Sequence, residues 1–192
     1  GAGVGRVRYG QDGGMELWNR EGVVGDFGGK RPQVVLLCAG RVGGIHANAT
    51  RKADFIRDHV FISANVIDAA NRAGVEKIMV LGSSCIYPRL ALQPIREDSL
   101  LSGALEPTNE PYAIAKIAGM IMAHSYRHQH GLNAVTVVPT NAYGPRDNFD
   151  LDDSHVIPAL LRKFHLAKIQ SLDHVMIWGT GDAVREFMYV DD

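Results

Sequence analysis

The sequence predicts an α/β fold in which strands and helices alternate around a doubly wound parallel sheet, with helices on both faces. Three observations predict it. The apolar runs Val34-Val35-Leu36-Leu37, Ile78-Met79-Val80-Leu81 and Ala134-Val135-Thr136-Val137-Val138 have the length and composition of buried parallel strands. Long stretches with apolar residues at helical spacing separate them. Glycines close those stretches, at Gly74 and Gly131.

The first strand falls at Val34 to Leu37. From Ala53 to Ala73, the apolar residues Phe55, Ile56, Val60, Ile62, Val66, Ile67 and Ala70 recur at helical spacing, so a helix is expected up to Gly74. The Ile78 to Leu81 strand follows and runs into Gly82-Ser83-Ser84-Cys85. A second long helix covers Tyr112 to His130, with Gly131 as a left-handed cap. The third strand starts at Ala134. A further helix fits Val156 to Lys168, and a short strand fits Val175 to Trp178.

At 192 residues the chain fits one domain, or one and part of another. Hydrophobic residues make up 46%, the globular norm, so disorder is not the default. A formal net charge of -1 without a long run of one sign gives no footprint for nucleic acid or an anionic membrane. Cys38 and Cys85 lack metal-ligand spacing and suit reduced thiols in a cytoplasmic setting. No run approaches the roughly 20 apolar residues that span a bilayer. His124, His128 and His130 are assigned to a solvated helix face, with no metal required.

Tyr112-Ala113-Ile114-Ala115-Lys116 carries the chemistry. In a helix, a spacing of four stacks phenol and ammonium on one face. The ammonium is then expected to favour the phenolate and lower the tyrosine pKa from roughly 10. Ser83 and Cys85, alternating along an extended strand end, would face the same space. Sites in open parallel sheets lie past such strand ends, and a tyrosine, a lysine and a hydroxyl there fit carbonyl reduction.

Blocks along the chain resemble the GDP-L-fucose synthases of the extended short-chain dehydrogenase/reductase superfamily. They are Val42-Gly43-Gly44-Ile45, Gly82-Ser83-Ser84-Cys85-Ile86-Tyr87-Pro88, Glu106-Pro107-Thr108-Asn109-Glu110-Pro111 leading into Tyr112 to Lys116, Pro139-Thr140-Asn141-Ala142-Tyr143-Gly144-Pro145, Asp147-Asn148-Phe149, Ser154-His155-Val156-Ile157-Pro158, Trp178-Gly179-Thr180-Gly181 and Arg185-Glu186-Phe187. The resemblance implies a Rossmann-like fold and an NADPH-dependent enzyme. Its implied reaction turns GDP-4-keto-6-deoxymannose into GDP-L-fucose by epimerising two ring carbons and reducing the ketone. It implies Ser83, Tyr112 and Lys116 for reduction, with Cys85 and His155 exchanging ring protons as thiolate and imidazolium. Leu81, Gly82, Ser83, Ser84, Lys116, Pro139, Thr140, Asn141, Ala142 and His155 would line NADP(H). Asn141, Lys163, Trp178 and Arg185 would meet the GDP-linked sugar, and two copies would pair through the two long helices.

The opening Gly1-Ala2-Gly3-Val4-Gly5 has closely set glycines but no strand before it, so it is not a dinucleotide fingerprint. The resemblance therefore implies an incomplete nucleotide-binding domain over residues 1–150 and the beginning of a substrate-binding domain over 151–192. The chain reads as the central piece of a longer enzyme, with little turnover expected of it alone. Gly40 and Arg41 stand where related enzymes often carry alanine and lysine. The competing readings are another nucleotide-sugar epimerase or dehydratase, which shares the Ser, Tyr and Lys, and a catalytically silent binding or scaffold protein.

Overall fold

The computed structural model describes residues 16–192 without 42, 44, 152, 153, 178 and 183, and without the side chains of 45 and 46. The glycine-rich opening and Trp178 thus lie outside the described residues. In order come α1 (Arg20–Lys30), β1 (Val34–Leu37), α2 (Ile45–Thr50), α3 (Lys52–Ala73), β2 (Lys77–Leu81), α4 (Glu110–His130), β3 (Ala134–Val137), β4 (Asn141–Tyr143), α5 (Val156–Ile169) and β5 (Phe187–Tyr189). Two 3-10 turns, Ser84–Ile86 and Glu97–Ser99, lie between β2 and α4.

The three expected strands form one parallel sheet in the order β1-β2-β3. Val35 pairs with Ile78 and Leu37 with Val80, while Met79 pairs with Val135 across the other edge of β2. Each crossover is a long helix that ends on a left-handed glycine, Gly74 at φ 67 and Gly131 at φ 73, because a glycine turns the chain there without a Cβ clash.

Period-2 alternation decides which sheet face is packed. Leu37, Ile78 and Val80 join Val23 and Phe27 of α1, Val66, Ile67 and Ala70 of α3, and Ala123 of α4 in one buried cluster. The side chains between them point the other way, and Val34 and Leu36 remain 56% and 62% exposed. Among the described residues α1, α3 and α4 therefore pack on this one face of the sheet. Asn65 ties α1 into this layer: its side-chain amide, on α3, donates to the carbonyls of Leu17 and Trp18 at 2.9 Å. The layer is tight where α3 meets α4. A Cβ on Gly119 would come within 2.8 Å of Ser63 Oγ.

The helix α1 was not expected, since its buried apolar stripe is reduced to Val23 and Phe27 and four glycines interrupt it. Residues 175–177 form no strand: Met176 and Ile177 face solvent and no neighbouring strand pairs with them. The C-terminal pairing lies elsewhere, between β4 and β5, which align Asn141 with Phe187 and Tyr143 with Tyr189. Those hydrogen bonds cross the expected domain boundary at residue 150.

Candidate active site

The site gathers where β2 ends beneath α4. Gly82 continues the strand, and its N–H donates to the Val137 carbonyl at 2.7 Å. It is packed so closely that a Cβ would meet Met120 Sδ at 2.9 Å and Val138 at 3.0 Å. Ser83 is still extended, at φ -159 and ψ 148, but Ser84–Ile86 then wind into a 3-10 turn. That turn, not strand alternation, swings the Cys85 thiol back to donate to Ser83 Oγ at 3.2 Å. Ser83 and Cys85 therefore share one space as expected, through different local geometry.

Tyr112 and Lys116 enter from the first turns of α4, which opens at Asn109 with Pro111 in the tolerated N-terminal position. Lys116 Nζ donates to the Leu81 carbonyl at 3.0 Å and sits 5.8 Å from the Tyr112 ring centre. One hydrogen bond thus clamps the lysine to the strand end. Burial lowers its pKa, and the nearby Cys85 and Cys38 oppose that shift.

The electrostatics correct the expected phenolate. Burial pushes the Tyr112 pKa up to about 12, with Cys85 adding to the rise and Ser83 opposing it. Removing water from around the phenol costs its anion more than Lys116, committed to Leu81, returns. Burial raises the Cys85 thiol as well, against the pull of Ser83 and Lys116. At rest the site holds a protonated phenol and a neutral thiol, not the expected thiolate.

His155 is not brought into this cluster by any hydrogen bond. It is exposed at the N-terminal cap of α5, where its ring makes no capping bond. Pro139 is half-buried and Thr140, Asn141 and Ala142 are exposed, just past β3, so they share the strand-end crest with Gly82 to Ser84. Asn141 Nδ2 donates to the Glu186 carbonyl at 3.0 Å and helps hold β4 to β5. Lys163 Nζ donates to the Met176 carbonyl at 3.2 Å, and exposed Arg185 donates to its neighbour Val184.

Sequence reasoning missed His59. It is 2% exposed on α3, and its Nε2 contacts the Arg41 carbonyl at 2.7 Å. A carbonyl only accepts, so Nε2 carries a proton, and burial lowers the ring's pKa to about 4, which leaves it neutral near pH 7. Its ring lies 4.8 Å from that of Tyr112, edge to face, with Phe55 completing an aromatic trio. A signal was present: position 59 falls four after Phe55 and three before Ile62, on the apolar side of the helical pattern. His124, His128 and His130 are exposed on α4, as expected.

Residues 16–192 match the family model described as the NAD dependent epimerase/dehydratase family. The chain belongs to that family. It is 54% identical over 179 residues to "Probable GDP-L-fucose synthase 1" of Oryza sativa subsp. japonica, covering 93% of this chain and 55% of that protein. Among solved structures it resembles the GDP-mannoheptose C4 reductase from Campylobacter jejuni with NADP bound, at 36% identity and a TM-score of 0.83, covering 93% of this chain and 61% of the other. It also resembles a GDP-L-fucose synthetase from Naegleria fowleri bound to NADP, at 30% identity and a TM-score of 0.81, covering 91% and 57%. The chain spans about half the length of the curated relatives it matches. The α/β core with its parallel sheet is that of this family.

The residues present fit the reactive end of a nicotinamide cofactor. An ammonium, a hydroxyl, a thiol and a phenol line the crest where three parallel strands end, the usual place for such a ligand in open α/β sheets. Among the described residues no helix is long and apolar enough to cross a membrane.

Proposed function

We propose that this chain carries the reducing and epimerising centre of a GDP-L-fucose synthase, acting on GDP-4-keto-6-deoxymannose with NADPH. The observation that carries the reading is the convergence of Ser83, Cys85, Tyr112 and Lys116 at the end of β2, in a chain 54% identical to a relative named for that reaction.

Bound NADPH would supply the hydride for the C4 ketone. A protonated Tyr112 suits reduction, because the oxygen that gains negative charge needs a proton donor, and Ser83 offers a second hydrogen bond to it. Lys116 would hold the nicotinamide ribose from its anchor on Leu81, beside the backbone of Gly82 to Ser84 and of Pro139 to Ala142. Epimerisation requires a proton to leave a carbon beside the ketone and another to return from the opposite face. Cys85 and His155 would divide those transfers, with His155 also beside the cofactor. Asn141, Lys163, Trp178 and Arg185 would contact the sugar nucleotide, where the Arg185 guanidinium suits a diphosphate.

In the same reading, residues 1–150 belong to the cofactor-binding domain and 151–192 begin the substrate-binding one. Phe61 on α3, and Ile114 and Ile121 on α4, are large exposed apolar side chains on the two helices expected to form a homodimer. Two free thiols suit a reducing cytoplasmic setting.

The test is NADPH titration of the purified chain followed by an assay for GDP-fucose, with Tyr112→Phe as comparison. NADPH binding and product that falls at least a hundred-fold in Tyr112→Phe support the reading. Absence of NADPH binding would instead favour the scaffold alternative for this chain.

A further inference from the structure

We propose that His59 and Gly40 form a matched pair that positions Tyr112, with the imidazole filling the space beside a side-chain-free backbone and walling the phenol ring on the α3 side. This inference rests on the proposed function for its catalytic meaning. The pairing itself rests on packing alone.

Three contacts define it. The His59 Nε2–H donates to the Arg41 carbonyl at 2.7 Å, which fixes the ring in one tautomer and one orientation. The Cε1 edge of that ring, next to Nε2, lies against Gly40, where an added Cβ would overlap Cε1 and lie 2.8 Å from Nδ1 and 3.1 Å from Nε2. The ring edge meets Tyr112 at 4.8 Å between centres, with interplanar angle 75°. Any side chain at position 40 would have to displace the imidazole, and the imidazole is what stands between the tyrosine and the loop after β1. Gly40 is thus explained by its neighbour: the glycine is required where the histidine is present.

The charged and titratable groups around this wall are few. Arg41 turns its guanidinium away to Asp58 at 2.8 Å, and Arg57 shares the same carboxylate. Lys116 approaches from α4, while Cys85 and Ser83 approach from the 3-10 turn. None of these replaces the imidazole as the screen between Tyr112 and water on the α3 side. A neutral ring in that place keeps the phenol dry without adding a charge to it, so it acts as a positioning residue that touches the proton donor and not the substrate.

The pairing is tested by thermal unfolding of the chain and of Gly40→Ala, His59→Ala and the double variant. Gly40→Ala alone should lower Tm by about 5 °C, the scale expected of an overpacked site in a chain of this size. In the His59→Ala background the same change should cost nothing or raise Tm. Additive effects would overturn the pairing. The positioning role is tested by phenol absorbance at about pH 10.5, with Tyr112→Phe as the reference that isolates this tyrosine among the six in the chain.

In His59→Ala the ionised fraction of Tyr112 should rise roughly ten-fold, as water enters beside the ring. His59→Phe restores a wall without the hydrogen bond and should keep Tyr112 protonated. An unchanged ionisation in His59→Ala, or a Phe variant that behaves like the Ala variant, would overturn the role. Should His59→Ala not fold, His59→Asn serves in its place in both measurements. Neither readout needs turnover, so a chain that shows the coupling yet binds no NADPH would sink the proposed function and leave the pair standing.

Discussion

The strand-end crest around β2, α3 and α4 and the segment after β3 treat their functional residues in opposite ways. In the first, α3 buries seven residues, including polar His59 and Asn65, and His59, Cys85 and Lys116 beside Tyr112 each hold a hydrogen-bond partner. In the second, α5 buries only Pro158 and Ala167, and large apolar side chains such as Leu161, Phe164 and Met176 face solvent. Groups that must hold or pass protons need a dry, rigid setting, because desolvation sets their pKa values. Groups that would grip a nucleotide sugar in the proposed function need reach, and in this chain Asn141 and Arg185 are exposed.

The comparison breaks most sharply on core truncation. Ile78→Ala, at a fully buried strand position, should cost about 3–5 kcal/mol, whereas Phe187→Ala on exposed β5 should cost less than about 1 kcal/mol. Urea unfolding of the two variants measures the difference, and equal losses would mean that the C-terminal segment is as tightly built as the crest.

The next effect is acid lability of the crest. Burial lowers the His59 pKa from the ordinary 6.5 to about 4. Between these values the unfolded chain binds the proton and the folded one does not, so stability falls as pH drops from about 6.5 to about 4 and is unaffected by His59 above that window. The loss approaches roughly 2–3 kcal/mol and should be absent in His59→Phe. Urea midpoints across that pH range in both proteins give the measurement, and parallel curves would count against the buried neutral ring.

A smaller effect sharpens the same contrast at the helix interface. Gly119→Ala places a Cβ against Ser63 Oγ and should destabilise by about 1–2 kcal/mol, while adding Ser63→Gly should recover most of it. Calorimetric Tm values test this. Failure of the second change to rescue would locate the strain elsewhere in α4.

The main strands and long helices were legible because their signals are local: apolar runs, helical spacing, and glycine where a left-handed turn is needed. Tyr112, Lys116, Ser83 and Cys85 were legible as site candidates for the same reason, since a spacing of four or of two is written along the chain. What sequence could not supply was the sign of the electrostatics. Whether Lys116 ionises Tyr112 depends on the Leu81 carbonyl that occupies the ammonium and on the phenyl and imidazole rings of α3 that exclude water.

The sequence by itself determined the three strands of the parallel sheet, the helices α3, α4 and α5, the family and the residues that meet at the end of β2. Only the tertiary structure decided that α1, α3 and α4 pack together on one sheet face, that β4 pairs with β5, that a 3-10 turn delivers Cys85, and that His59 stands behind Tyr112 where Gly40 leaves it room. The physical reason is range. Periodicity and turn chemistry act over a few residues, whereas burial, pKa and close packing are sums over groups that the chain brings together from 18 to more than 50 positions apart.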